Sequence, residues 1–258
     1  MSERRVDYDA IAARYDRHRG WDERMPGLLL ELAASGAGAP EAAILELGCG
    51  TGNLTRNLER LWRGPVVALD RSRGMLAQAR GKLERARLLR SDAAALPFGT
   101  ACFAGAVGSF FLHYLDASAR ARLFAALRAA LVPGGGVAFL TTDHAQIRAC
   151  ALARWFPSLA AIDCARFPAV ADLLCELEAA GFSKAQALEV EDRRGNGGSE
   201  YLEKARARFI STLDLLEHAE FEAGLRAMEA QLARDGHLGD VSWRGTVVCA
   251  RAREGMPS

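Results

Sequence analysis

The stretch "ILELGCGTGNL", residues 44–54, constrains the fold more than any other part of the chain. Apolar residues flank Glu46 in a run short enough for a strand, and Gly48, Gly50 and Gly52 end it before a helix starts at Asn53. Glycine at such a turn permits left-handed backbone and lets a ligand reach the main chain with no Cβ in the way. A strand that runs through bare backbone into a helix reads as the opening unit of a parallel α/β sheet, which binds ligands outside the carboxyl ends of its strands. An ordinary strand-to-helix turn is the bland alternative.

The rhythm continues beyond that turn. Strands are expected at 43–47, 66–69, 86–89, 103–109 and 137–141, and helices at 53–62, at 74–84 and from an N-cap at Asp116 to Val132, where "PGGG" stops the helix. Two further helices, over 7–19 and 25–34, are expected before the first strand. Strands alternating with helices of this length predict a parallel sheet covered on both faces. The rest of the chain breaks the pattern: a helix at 169–180 ends at Gly181, and two β runs, 185–190 and 243–250, lie far apart. Between them "RRGNGGS" reads as a hinge, and 200–234 as two helices broken near 217–221. The expectation is a single domain over 1–258. It comprises N-terminal lid helices in 1–35, a ligand-binding core in 40–144, and a helical cap from the insertions 145–167 and 192–240 over the sheet's carboxyl edge.

Charge narrows the partners. With 33 basic and 32 acidic residues interspersed, the formal net charge of +1 removes any bulk electrostatic case for nucleic acid or an anionic membrane. A small ligand is the expected partner, to a monomer or homodimer. The six cysteines are scattered, with no C-x-x-C and no histidine at zinc-ligand spacing, so no metal is expected. The start "MSERRVDYDA" lacks the apolar run of a signal peptide, and no segment is apolar enough to span a bilayer. A reducing cytoplasm is the expected location, and the richness in Ala, Arg and Leu suggests a bacterial coding sequence.

Further carboxylates fall in register with the first loop. Asp70 closes the second strand, where an α/β nucleotide site places the acid that binds ribose hydroxyls, and Asp92 opens the loop after the third in "SDAAALPF". Asp70 as a helix cap and Asp92 as a turn residue are the structural alternatives. A dinucleotide fingerprint wants G-x-G-x-x-G, but the sixth position from Gly48 is Asn53; a P-loop wants Gly-Lys-Ser or Gly-Lys-Thr, which the chain lacks.

At these residues a resemblance becomes specific. "LELGCGTG", "ALDRSRGMLAQAR", "SDAAALPF", "AVGSFFLHYL" and "LVPGGGVAFL" resemble, in order and spacing from about 44 to 141, the motifs of class I S-adenosylmethionine-dependent methyltransferases of the small-molecule type. "YDAIAARYDRHR" resembles the N-terminal segment of many such members. The resemblance implies a Rossmann-like, doubly wound α/β fold with a seven-stranded mixed sheet whose last strand is antiparallel. It implies S-adenosylmethionine as cofactor, with S-adenosylhomocysteine as product. Carried over, Glu46, Gly48 and Cys49 would lie near the methionyl amino end and Gly50 near the sugar. Asp70 would bind the ribose, Arg71 and Met75 flank the adenine, and Asp92 and Ala93 face its amino group. Ser109 and Phe110 would line the methionyl side, with Tyr15 closing the pocket and Arg19 meeting the carboxylate.

Methyl transfer from a sulfonium needs no acid to help its neutral leaving group depart, and positioning supplies much of the rate. A base helps where the acceptor carries a proton. His113 in "FLHYL" is the first candidate for that base, ahead of Tyr114, Asp143 and His144. No proline pair follows the fourth strand and no paired glutamates lie between Gly108 and Arg120, which argues against nucleic-acid amino methylation and arginine methylation. Phe209, Trp155, Phe156, Phe221 and Trp243 are expected to line a substrate pocket or to be plain core, and Arg206 and Arg208 to meet a substrate carboxylate or face water. Two alternatives stay open: an NAD(P)-dependent oxidoreductase, and a non-catalytic S-adenosylmethionine-binding regulatory subunit.

Overall fold

Helix and strand alternate from Arg24 to Arg90 in a computed structural model that describes residues 6–12, 15–16, 24–39, 41–192 and 197–252. In chain order the elements are α1 (Tyr8–Ile11), α2 (Arg24–Ala34), β1 (Ala43–Leu47), α3 (Asn53–Leu61), β2 (Val66–Asp70), α4 (Arg73–Arg80) and β3 (Arg87–Arg90). There follow β4 (Phe103–Ser109), α5 (Ala117–Ala130), β5 (Leu131–Thr141), α6 (His144–Arg148), α7 (Leu159–Arg166), α8 (Val170–Ala179) and β6 (Phe182–Asp192). The last are α9 (Ser199–Arg206), α10 (His218–Asp235) and β7 (Trp243–Ala252).

The seven strands form one sheet in the order β3-β2-β1-β4-β5-β7-β6. All pairs from β3 to β5 are parallel, and β7 inserts antiparallel between β5 and β6, as the resemblance implied. Successive side chains on a strand point to opposite faces, and here both faces are dry. Leu45, Leu47, Phe103, Val137, Phe139 and Val248 pack beneath α5 and α8. Ile44, Val107, Ala138, Leu140 and Val247 pack against α2 and α3 on the other face. The first sharp reversal of the sheet order falls between β1 and β4, which puts the β1–α3 and β4–α5 loops side by side at the carboxyl edge.

The insertions after β5 and β6 fuse into one cap. Leu152, Trp155, Phe156 and Leu159 from the first bury themselves against Leu202, Leu213, Phe221, Leu225 and Met228 from the second, forming a core separate from the sheet's two. Several expected boundaries move. α4 ends at Arg80 with Gly81 as its C-cap, not at residue 84. α5 ends at Ala130, and the "PGGG" read as a stop is absorbed into β5, which pairs Leu131 with Phe103 across a register shift. The cap helices break at 207–217 rather than 217–221: Arg208 adopts φ 53, a 3-10 turn spans Ser211–Asp214, and Glu217 is the N-cap of α10, which carries Phe221 within it. Of the expected 7–19 helix, Tyr8–Ile11 is helical; residues 13–14 and 17–23, and 193–196 of "RRGNGGS", lie outside the described residues.

Candidate functional site

The glycine-rich loop and the acid after β2 are tied directly. Asp70 sits at the end of β2, where its Oδ2 accepts the Gly50 N–H at 2.8 Å and its Oδ1 the Ser72 N–H at 2.8 Å. Each oxygen keeps a lone pair for a further donor. Burial raises the Asp70 pKa, against the pull of those two amides.

The loop's glycines do different work. Gly48 and Gly50 have φ values of 65 and 54, so both hold left-handed backbone. A Cβ on Gly48 would stand 2.6 Å from the Phe111 Cβ, and Phe111 also fills the space beside Gly108, so Gly48 is bare to let a phenylalanine pack rather than a ligand approach. A Cβ on Gly50 would meet nothing within 4 Å, so here bare backbone faces open space.

Glu46 points to the α2 and α3 side, opposite Leu45 and Leu47, and is 2% exposed. Its Oε2 is buried without a hydrogen-bond partner among the described residues. Burial, reinforced by Asp70, pushes its pKa up to about 8, although Thr55 pulls the other way. Cys49 is buried, and burial followed by the nearby Glu46 and Asp70 drives its thiol far up, so it is an inert filler.

Of the other expected residues, Arg71 is exposed and its carbonyl accepts from Arg90 Nε at 3.2 Å. Met75 is fully buried on the inner side of α4. Asp92 is exposed and caps its own turn through the Ala94 N–H at 2.9 Å, while Ala93 packs against the core. Ser109 ends β4; Phe110 adopts φ 50, and its ring meets Trp243 edge-on with centroids 5.7 Å apart. Tyr15 lies edge-on to Tyr8 at 6.1 Å. Arg19 lies outside the described residues. His144 Nε2 contacts the Phe167 carbonyl at 2.8 Å and Asp143 caps α6, so both serve the cap's first turn.

His113 stacks on Phe167 with centroids 4.1 Å apart, and both its ring nitrogens are buried without hydrogen-bond partners among the described residues. Burial, then the charge of Arg166, holds its pKa well below the usual imidazole value, so the ring is neutral at physiological pH.

Three alternatives that the sequence leaves open resolve toward plain packing and surface pairing. Trp155, Phe156 and Phe221 are cap core, Phe209 packs beside them, and Trp243 belongs to the sheet, so the five aromatics line no common pocket. Arg206 pairs with Glu229 at 2.5 Å on the surface. Arg208 stacks over Phe221 at 3.6 Å and ion-pairs with Asp214 at 3.8 Å. Both arginines therefore hold the cap together.

The sequence reading missed the N-terminal fastening. Asp9 Oδ1 accepts from Ser72 Oγ and from the Gly74 N–H, each at 2.6 Å, straddling the start of α4. These bonds hold its carboxyl below the usual range. Asp16 accepts from Thr51, from Asn53 Nδ2 at 2.8 Å and from Lys82, which bolts it to the glycine loop. Burial works against that charge, but the bonds from Lys82 and Thr51 prevail and lower its pKa. The short acidic spacing 7, 9, 16 was the one available hint.

The family profile described as "Methyltransferase domain" matches residues 44–135, which run from β1 into β5 and contain Glu46, the glycine loop, Asp70, Asp92, Ser109, Phe110 and His113 but neither Asp9 and Asp16 nor the cap. A 2-phytyl-1,4-naphtoquinone methyltransferase of Thermosynechococcus vestitus is 34% identical over 55% of this chain and 65% of its own length. A trans-aconitate 2-methyltransferase of Methylobacterium nodulans is 35% identical over 42% of this chain and 41% of its own. The chain thus spans less than two thirds of the curated relatives it matches. Among solved structures, a protein from an antibiotic biosynthesis pathway of Anabaena variabilis, assigned by name to the methyltransferases, superposes with a TM-score of 0.70 at 20% identity over 90% of this chain and 99% of its own. Residues 44–135 are thus similar to the methyltransferase domain family, and the strand order is that of the methyltransferase-like fold.

Proposed function

We propose that the protein transfers the methyl group of S-adenosylmethionine to an oxygen, nitrogen or sulfur nucleophile of a small molecule. The observation that carries this is the carboxyl edge itself: open space at Gly50, Asp70 locked to the Gly50 and Ser72 amides with lone pairs to spare, and an unpartnered oxygen on buried Glu46. That set fits the cofactor, because a buried acid without a donor suits a cationic amino group and a tethered carboxylate suits a pair of hydroxyls.

When bound, the cofactor supplies a methyl group on a sulfonium whose departing thioether is neutral. The chain's own residues then do three things. Glu46, Ser109 and Phe110 hold the methionyl side, the bare backbone of Gly50 lies by the sugar, and Gly48 shapes the loop by admitting Phe111. Asp70, Arg71, Met75, Asp92 and Ala93 hold the nucleoside side, and Tyr8 and Tyr15, carried by the segment that Asp9 and Asp16 fasten, cover it. His113, whose ring nitrogens have no hydrogen-bond partner among the described residues, is the base for acceptors that carry a proton. Substrate choice falls to the cap in 145–167 and 192–240 and to the lid in 1–35, a reading supported by both lying outside the matched segment 44–135.

Among the described residues no helix is long and apolar enough to cross a membrane. We read the protein as a cytoplasmic bacterial enzyme, a monomer or homodimer; the near-neutral charge supports a small-molecule partner over nucleic acid.

Titration with S-adenosylhomocysteine and with NADH tests the cofactor. Saturable binding of the former alone is expected; binding of NADH alone would overturn the reading. Transfer of labelled methyl from S-adenosylmethionine to fractionated host metabolites then tests the reaction. In that assay His113→Ala should keep cofactor affinity and slow turnover about tenfold or more; an unchanged rate would remove it as the base.

A further inference from the structure

Beside the cofactor loop, separate parts of the chain converge on one polar cluster. α1 brings Tyr8, the turn after β4 brings His113 and Tyr114, α7 brings Asp163 and Arg166, and the turn before α10 brings Thr212. Tyr8 and Tyr114 share a hydrogen bond, with rings edge-on at 5.4 Å. Arg166 reaches in from the cap: its guanidinium lies 5.8 Å from the Tyr114 ring centroid, and Nη1 donates to Asp163 Oδ1 and to Thr212 Oγ1 at 3.2 Å each. Because Tyr8 adjoins Asp9, and Asp9 is bonded to the start of α4, this cluster abuts the cofactor's side of the edge.

The cluster's charges are unevenly matched. Asp163 already takes the Thr212 hydroxyl at 2.6 Å together with one Arg166 nitrogen. Among the described residues the other terminal nitrogen of Arg166 has a single long contact, 3.5 Å to the Tyr114 hydroxyl, although the side chain is only 19% exposed. A largely buried guanidinium with one edge so weakly paired is a costly arrangement unless an anion completes it. One phenol of the Tyr8–Tyr114 pair donates to the other, which leaves the pair one proton to donate beside Ser211 Oγ, 3.4 Å from the Tyr114 hydroxyl, and the two buried nitrogens of His113 have no hydrogen-bond partner among the described residues. One guanidinium, partly neutralised by Asp163, suits a single negative charge, and its planar fork matches a carboxylate. The rings of Tyr8, Tyr114 and Phe167 supply apolar walls.

We infer that Arg166, aided by the Tyr8 and Tyr114 hydroxyls, binds the carboxylate of an acid-bearing acceptor and so selects the substrate. This rests on the methyl transfer proposed above. The carboxylate is the handle by which the acceptor is held; Arg166 is a specificity residue and takes no part in the bond changes.

The test is calorimetric titration of the full chain, saturated with S-adenosylhomocysteine, with benzoate against benzamide and succinate against succinamide. At least one acid should bind about tenfold or more tightly than its amide, the range of a charge-assisted pair. Arg166→Met alone strands Asp163, so the companion variant is Arg166→Met with Asp163→Asn, which keeps the buried pair neutral. That double variant should erase the preference for acid over amide while leaving S-adenosylhomocysteine affinity unchanged. Tyr114→Phe, which keeps the ring, should reduce the preference severalfold. Acids and amides binding alike or not at all, or a double variant that keeps the preference, would overturn the inference while S-adenosylhomocysteine binding leaves the proposed function standing. Failure of the wild type to bind S-adenosylhomocysteine would overturn both.

Discussion

Glu46 stands two positions before the first glycine of the loop, with one carboxylate oxygen sealed from water and unbonded. Such a carboxyl holds its proton more tightly folded than unfolded, between its ordinary 4.5 and about 8. The native state therefore carries the extra proton across that window, and the stability it confers is complete at the acid end and lost as pH rises through about 8. The slope is about 1.4 kcal/mol per pH unit. Thermal midpoints of the protein alone should fall between pH about 5 and about 8, and Glu46→Gln should flatten the profile. A wild-type profile as flat as the variant's would show that Glu46 is already ionised or paired. Saturation with S-adenosylhomocysteine should also flatten it, because a cationic amino group beside Glu46 favours the ionised acid.

α1 has only four residues, too short to persist on its own propensity, so tertiary bonds hold it in place. Those bonds come from α4 and the glycine loop through Asp9 and Asp16. Asp16→Ala cuts the connection to Thr51, Asn53 and Lys82 at once and should raise the dissociation rate of S-adenosylhomocysteine severalfold in stopped-flow experiments, with a thermal midpoint lowered by only a few degrees. An unchanged dissociation rate would mean the segment does not cover the cofactor. The same contacts explain what the sequence could and could not announce. β1, β2 and β4 are legible because each is a short, nearly continuous buried apolar run ended by a turn, and Gly50 and Asp70 because loop and strand end are each contiguous in the chain. Asp9 finds its partners 63 and 65 positions away and Asp16 its partners 35 to 66 away, so no local spacing encodes them. Arg166 meets Tyr114 across 52 positions for the same reason. The break between the cap helices was misplaced because Arg208 takes a left-handed turn that a glycine would have signalled and an arginine does not.

At the scale of the molecule, sheet and cap are separately packed. Phe156 is fully buried in the cap and stacks on Phe221 with centroids 5.9 Å apart, while the glycine loop and Asp70 rest on the sheet. Phe156→Ala should cost the cap about 3–5 kcal/mol. Methyl transfer should fall steeply while S-adenosylhomocysteine affinity stays within about threefold, as read by calorimetry beside a turnover assay; equal loss of both would mean that cap and sheet unfold together. The position of β7 carries a further consequence. It is the last strand in the chain, yet it lies between β5 and β6 and gives both their antiparallel partner. While the chain is being synthesised, β5 and β6 must therefore wait with open edges until residues 243–252 leave the ribosome. During that wait the exposed backbone of two strands is a template for any neighbouring nascent chain, so a ribosome that pauses within 193–242 lengthens the interval in which this protein is most prone to aggregate.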